Sequence, residues 1–454
     1  MLFQVVKSEI VSHLSYIVGS KNEAAVIDPR RDCQIYTDIA RKWGARIKYI
    51  YETHRNEDYV IGSLELSNMT GSQIFHGIGL KWSYGETVKD NQEFSLGSLK
   101  IRALYTPGHS PESTSFVFYD TETEDQAIMV FTGDLIFVGD VGRTDFLGYK
   151  MTPLMSEKMY DSIIKRLLPL GESVIMCPSH GSGSVCGGKI KEREISTLGI
   201  EKATNPMLKL SKEDFISYKI AEQHETPPYF KKMEEYNLKG PPILGNLPNP
   251  PPLKPSIFND KIRKGAQIID TRSPSAFGGA HIKDSYSLPP KRLSYAGWVL
   301  TYDRPILLVI ENLEVLDFAV RNLVRLGFDR IDGYLAGGFE SWYKDGLVFG
   351  EVHLMSVQDL RQRIISQDDI AIIDVRRRSE WDEGHIEGSM HYYLGHLEKN
   401  VDKLSKQKSI AIICKTGNRS SFGASILLRK GFGKVYNCLG GIDAWNKSGF
   451  PLTK

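Results

Sequence analysis

Short apolar runs that each stop at a polar residue set the rhythm of the first two hundred positions. Ile47 to Tyr51 ends before His54, Ile101 to Tyr105 before His109, Ala127 to Phe131 before Asp134, and Val174 to Met176 before His180. Runs of this length bounded by Gly, Pro, Ser and Asp predict strands. Four strands that deliver polar residues from their C-terminal ends predict convergence on one sheet edge, where ligands commonly bind. Beyond the middle of the chain the rhythm changes. Runs such as Ile306 to Ile310 and Ser409 to Ile413 alternate with helical patterns over Phe318 to Leu326 and Ser421 to Leu428. That alternation predicts α/β domains with parallel sheets.

The stretch from Gly240-Pro241-Pro242 through Pro250-Pro251-Pro252 to Pro255 is too rich in proline to continue a helix or a central strand, and it reads as a stiff, extended linker. An internal repeat occupies the chain beyond it. Ile268-Ile269-Asp270-Thr271-Arg272 and Gly279-Ala280-His281-Ile282 recur as Ile372-Ile373-Asp374-Val375-Arg376 and Glu383-Gly384-His385-Ile386. Gly337-Gly338-Phe339 to Trp342 likewise recurs as Gly440-Gly441-Ile442 to Trp445. A period of about a hundred residues marks two whole domains rather than solenoid units. The expected division is residues 1–240, a linker at 241–255, and repeat copies at 256–349 and 356–454.

At 454 residues the chain has room for about three such domains, each with its own core. The 57 basic and 55 acidic residues nearly cancel, which argues against nucleic acid or an anionic membrane as a partner. No leader-type apolar segment and no membrane span is visible. Five scattered cysteines do not make a disulfide framework. A cytoplasmic location with reduced thiols is expected.

The candidate chemistry lies in two places. The first is Thr53-His54-Arg55-Asn56-Glu57-Asp58-Tyr59, which has the frame H-x-H-x-D-H with two histidines missing, since Asn56 stands at the second and Tyr59 at the last. Together with Thr106-Pro107-Gly108-His109, Phe131-Thr132-Gly133-Asp134 and Pro178-Ser179-His180-Gly181, it resembles the successive motifs of the metallo-β-lactamase superfamily over roughly residues 1 to 200. Gly142-Arg143-Thr144-Asp145 and Ser182-Gly183-Ser184-Val185-Cys186-Gly187 resemble the persulfide dioxygenase branch of that superfamily. A dinuclear hydrolase needs both metals, and Tyr59 removes a ligand of the second, while Asn56 weakens the three-histidine site that zinc prefers. What remains complete is His54, His109 and Asp134. Two histidines and one carboxylate suit non-haem Fe(II) and O2 chemistry, and in the persulfide dioxygenases the matching residues are the iron ligands. The resemblance thus implies one Fe(II) per chain. Without their metal partner, Asp58 and His180 are expected to hydrogen-bond around the ligands. Arg143 is open to two readings, a fork for a substrate carboxylate or an ion pair with Asp145. Cys186 is likewise either a sulfur relay or an inert buried thiol.

The second place is Cys414-Lys415-Thr416-Gly417-Asn418-Arg419, between a strand and a helix beginning near Ser420. Such a loop turns successive backbone N–H groups inward as an anion nest, with the helix N-terminus behind it. Arg419 adds fixed positive charge, and Lys415, Gly417 and Asn418 complete the substrate-binding loop. The pattern resembles the active loop of rhodanese sulfurtransferases, whose upstream signature matches Asp374-Val375-Arg376 and Gly384-His385-Ile386. Arg377-Arg378 departs from it. Phosphatases of the same fold have a loop one residue longer, and the shorter loop here fits a single sulfur. In the first copy Ile310 stands opposite Cys414, and Ile310-Glu311-Asn312-Leu313-Glu314-Val315 has neither cysteine nor arginine. That copy cannot perform covalent chemistry. His281 and His385 match in both copies, which predicts a structural role.

The whole resembles persulfide dioxygenase–sulfurtransferase fusions. That implies an αββα metallo-β-lactamase sandwich followed by two rhodanese-like α/β domains with parallel sheets, the first degenerate. The implied activity is oxidation of a low-molecular-weight thiol persulfide by O2 to sulfite, with Cys414 transferring sulfane sulfur to sulfite to make thiosulfate. Self-association into a homo-oligomer is expected from the relatives. Two competitors stand beside this reading: a thioester hydrolase of the glyoxalase II type with rhodanese appendages, and a sulfur carrier or sensor whose metal site is vestigial.

Overall fold

The computed structural model describes residues 1–123 and 126–454, which pack as two units. One comprises Met1–Leu247 with Val324–Gly327, the other Pro248–Leu323 with Phe328–Lys454.

The first unit is built on two six-stranded sheets. One runs Leu2–Ser8, His13–Ser20, Glu23–Ile27, Arg46–Tyr51, Gln73–His76 and Glu86–Thr87 in spatial order, antiparallel over its first three strands and parallel thereafter. The other is ordered Ser196–Thr197, Ile175–Pro178, Ala127–Gly133, Thr114–Asp120, Leu99–Tyr105 and Glu93–Leu96. Alternation along each strand divides its side chains between two cores. Tyr16 and Val18 face Phe116, Phe118 and Phe131 between the sheets. Their neighbour Ile17 packs outward with Ile39 and Leu66 of the helices Gln34–Lys42 and Ser63–Thr70. Val117 and Val130 pack outward with Met159 and Phe215 of Thr152–Asp161 and Lys212–Ala221. The result is an αββα sandwich. Central strands covered on both faces are apolar throughout, which is why the sequence shows continuous runs.

In the second unit the repeat becomes two five-stranded parallel sheets with the same strand order. The first is Pro252–Leu253, Ile331–Leu335, Ile306–Val309, Gln267–Asp270 and Ser285–Ser287. The second is His353–Met355, Val435–Cys438, Ser409–Ile413, Ile370–Asp374 and Met390–His391. Pro252–Leu253, at the end of the proline-rich stretch, is an edge strand, a place where the missing N–H of proline costs no ladder bond. His281 and His385 hold the same station in each copy. Each exchanges backbone hydrogen bonds with the end of its domain, at Gly350 and Thr453, and stacks on an aromatic ring, Phe277 at 4.0 Å or Trp381 at 3.7 Å. The five cysteines form no disulfide. Among the described residues no helix is long and apolar enough to cross a membrane.

Candidate metal centre and sulfur-transfer loop

The turn after the strand Arg46–Tyr51 is tied down by a carboxylate the sequence motifs do not include. Asp28 accepts from the Thr53 backbone N–H at 2.8 Å, the Thr53 hydroxyl at 2.7 Å and the Ser179 hydroxyl at 2.7 Å. It thereby links the ends of three strands. Because the only hydroxyl proton of Thr53 goes to Asp28, its 2.9 Å contact with His54 Nδ1 requires that nitrogen to be the donor. The Nε2 of His54 is then a bare lone pair, buried and without a hydrogen-bond partner. His109 is oriented in the same way. Its Nδ1 donates to the Arg143 carbonyl at 3.0 Å, and its Nε2 is buried and unpartnered.

Both bare nitrogens face Asp134, which comes just after the strand Ala127–Gly133. Its Oδ2 lies 3.8 Å from His54 Nε2 and 3.6 Å from His109 Nε2. Donors each about 2.1 Å from a shared ion stand roughly 3 to 4 Å apart. Buried lone pairs with no proton to meet them fit a cation, so these three residues suit a metal.

His180 lies behind Asp134, its Nδ1 2.7 and 2.9 Å from the carboxylate oxygens and its Nε2 3.0 Å from Asp58 Oδ2. Burial opposes its protonation, but Asp134 and Asp58 outweigh burial and raise its pKa well above the ordinary value. His180 therefore orients Asp134 in the manner of a carboxylate–histidine pair. Tyr59 fills the place of the last histidine and stacks on His13 at 4.0 Å. Asn56 Nδ2 donates to the His54 carbonyl at 3.2 Å, while its Oδ1 is buried without a hydrogen-bond partner. The turn is pinned from the far end of the unit by Asn237, whose Nδ2 donates to the carbonyls of Asn56 and Tyr59 at 2.6 and 2.8 Å.

Glu57, a spacer in the sequence frame, points inward with its Oε1 3.2 Å from His109 Nε2. Sequence reasoning missed it, along with Asp28 and Asn237. A Glu beside a vanished ligand was the signal available. Cys186 is fully buried with its thiol donating to Glu57 Oε1 at 3.4 Å, so it sits at the centre. Glu57, His109, Asp134 and Cys186 offer ligand atoms all within 4.8 Å of one another. Arg143 takes the ion-pair arrangement. Its fork holds Asp145 at 2.7 and 2.8 Å, and its remaining nitrogen bonds reach the Glu225 carbonyl and Thr226 hydroxyl.

In the second unit Cys414 comes directly after the strand Ser409–Ile413. Its Sγ accepts the Gly417 N–H at 3.1 Å and lies 3.3 Å from Ser420 Oγ, at the start of the helix Asn418–Arg429. The Ser420 hydroxyl donates to Asn437 Oδ1 at 2.7 Å. Lys415 is exposed, and the Asn418 amide reaches Thr416 Oγ1 at 3.2 Å. Arg419 forms a double-pronged pair with Glu380, at 2.6 and 2.7 Å. Burial pushes the thiol of Cys438 up to about 12, in keeping with a core residue. The matching loop of the first copy places Ile310 after the strand Ile306–Val309, and Asn312 Oδ1 accepts from the Val315 N–H at 2.9 Å.

A family model for the rhodanese-like domain matches residues 254–345 and 356–448. The crystal structure of a metallo-β-lactamase from Staphylococcus aureus is 30% identical to this chain. The match covers 74% of this chain and 99% of that one, with a TM-score of 0.66. The chain belongs to the metallo-β-lactamase family. It joins that fold to two rhodanese-like domains. It is also similar to the mitochondrial persulfide dioxygenase ETHE1 of Bos taurus, at 28% identity over 214 residues, 44% of this chain and 74% of the relative. A sulfurtransferase of Allochromatium vinosum is 28% identical over 101 residues, 22% of this chain and 94% of the relative.

Proposed function

We propose that the chain is a persulfide dioxygenase (residues 1–240) joined through a linker at 241–255 and a silent rhodanese copy (256–349) to a sulfurtransferase (356–454), acting in the clearance of sulfide and persulfides. The observation that carries the first activity is the pair of buried, bare Nε2 atoms of His54 and His109 on either side of Asp134, with Tyr59 where a second metal's ligand would stand. His54, His109 and Asp134 would hold one Fe(II), which when bound supplies a meeting point for the persulfide's terminal sulfur and O2. The balanced reaction takes a thiol persulfide, O2 and water to the free thiol and sulfite. The terminal sulfur gives up four electrons to O2. Asp28 and the Arg143 carbonyl keep both imidazoles in the metal-binding tautomer, and His180 holds the Asp134 carboxylate. Burial of these groups keeps bulk water from the persulfide.

At the second site the Cys414 thiolate attacks the sulfane sulfur of a persulfide, and the parent thiolate leaves. The Gly417 N–H and the helix N-terminus stabilise the resulting persulfide anion. Sulfite then attacks its outer sulfur, releasing thiosulfate and regenerating the thiolate. Arg419, held by Glu380, braces the loop and keeps positive charge beside it.

An oxygen electrode with iron-loaded protein and a panel of thiol persulfides tests both halves. His109→Ala is expected to abolish O2 uptake and keep sulfur transfer. Cys414→Ser is expected to stop thiosulfate formation and leave sulfite production running. Two zinc ions per chain with thioester turnover would replace this reading by a hydrolase. Activity indifferent to His109→Ala would replace it by a carrier or sensor.

A further inference from the structure

The frame of the metal motif loses a histidine at Asn56, yet the centre does not lose a donor. The Asn56 Nδ2 is spent on the backbone of its own turn, and the next residue, Glu57, brings its carboxylate to 3.2 Å from His109 Nε2. That contact is informative because both partners are acceptors when the ring is neutral, the form a metal requires. In the neutral ring His109 Nδ1 carries the one proton to the Arg143 carbonyl, so Nε2 and Glu57 Oε1 then meet lone pair to lone pair. The two are not aligned as a hydrogen bond, and Nε2 has no partner of that kind. Two buried acceptors at this separation repel unless a proton or a metal ion lies between them. The third face of the same space is Asp134, whose Oδ2 is 3.6 Å from the same nitrogen.

We infer that Glu57 is a fourth protein ligand of the metal centre, replacing the lost histidine of Asn56 from one position further along the turn, so that two histidines and two carboxylates hold the ion. The assignment rests on the proposed His54, His109 and Asp134 centre. It alters the chemistry of that centre in two ways. Two carboxylates balance the charge of a divalent ion, and the added hard oxygen donor favours Fe(II) or Mn(II) over softer ions. The Cys186 thiol, donating to Glu57 Oε1 at 3.4 Å, positions the carboxylate rather than binding the ion.

The test is metal affinity of the full chain under anaerobic conditions, measured for Fe(II) by competition with a chromogenic chelator. Wild type is expected to bind one ion, and His109→Ala to lose it. Glu57→Gln, which keeps shape and removes charge, is expected to weaken binding about a hundredfold, the upper end of what even outer-shell changes cost. Cys186→Ser keeps a donor to Glu57 and is expected to stay within about threefold of wild type, well short of that outer-shell range. Far-UV circular dichroism of the metal-free variants checks that each is folded. If Glu57 merely holds a proton on His109, Glu57→Gln binds Fe(II) as tightly as wild type or more so, and the inference fails. If Cys186→Ser loses the ion while Glu57→Gln keeps it, sulfur is the fourth donor and the inference again fails. Should wild type bind no Fe(II) at all, the underlying reading of the centre falls too, an outcome distinct from the other two.

Discussion

The guanidinium of Arg419 meets Glu380 through both terminal nitrogens beside the thiol of Cys414. In the silent copy the corresponding positions are Val315 and Ala276, so charge and countercharge are absent together with the cysteine. The pair therefore belongs to the working loop rather than to the fold. Burial of Glu380 acts to raise its pKa, but the hydrogen bonds and charge of Arg419 outweigh burial, and the net shift is downward. A depressed carboxylate contributes stability above its unfolded pKa and loses it as pH falls through the folded one. Glu380→Gln should cost about 1 kcal/mol at pH 7. In urea titrations the gap from wild type should shrink below pH ~4, where carboxylates in the unfolded chain protonate. A gap of equal size at pH 3 would assign the loss to packing instead. At this scale much of the candidate site was legible: His54, His109, Asp134 and Cys414 each stand just past an apolar run, where the end of a strand fixes direction. Glu57 was not legible. Its inward direction depends on a turn pinned by Asn237, some 180 positions away, and no local pattern encodes that.

Among elements, the short helix Gly441–Lys447 does for the Cys414 loop what Asp28 does for the metal turn. The N–H groups of Ile442 and Asp443 donate to the carbonyls of Cys414 and Lys415 at 2.9 and 3.0 Å, which fixes the loop from outside while the Gly417 N–H meets the sulfur. Gly441 makes that approach feasible. It has φ +55°, and a Cβ there would lie 2.1 Å from the Cys414 carbonyl oxygen. Gly441→Ala should lift the loop, cost about 1–3 kcal/mol, and lower thiosulfate-to-cyanide sulfur transfer by at least about tenfold, since a displacement of 1 Å costs more than that. Gly449→Ala is the control, for its φ is +69° but its Cβ meets nothing within 4 Å. It should lose stability and keep activity. Equal loss of activity in both variants would show that backbone strain, not the clash at Cys414, governs the loop. The two Gly-Gly turns were visible in the repeat, because their spacing to Trp342 and Trp445 is the same in both copies. Their function was not, since only the active copy has a cysteine carbonyl in reach.

At the scale of the whole molecule, the proposed metal donors lie between His54 and Asp134 in the first packing unit, while Cys414 lies in the second. An ion that binds the folded chain and not the unfolded one stabilises the cooperative unit that contains its donors. At a free concentration one hundred times Kd the gain is about 2.7 kcal/mol, enough to move a domain of this size by several degrees. Scanning calorimetry of the full chain, with Fe(II) under anaerobic conditions and then with excess chelator, should resolve two transitions, of which one shifts with metal. His109→Ala should remove the shift and leave the other transition in place. Cys414→Ser should leave the metal-dependent shift intact, because it removes no proposed donor. If both transitions moved together, the two units would have to unfold as one cooperative block. If neither moved, the bare nitrogens of His54 and His109 would need a partner other than a metal, and the oxygen chemistry built on them would fall with it.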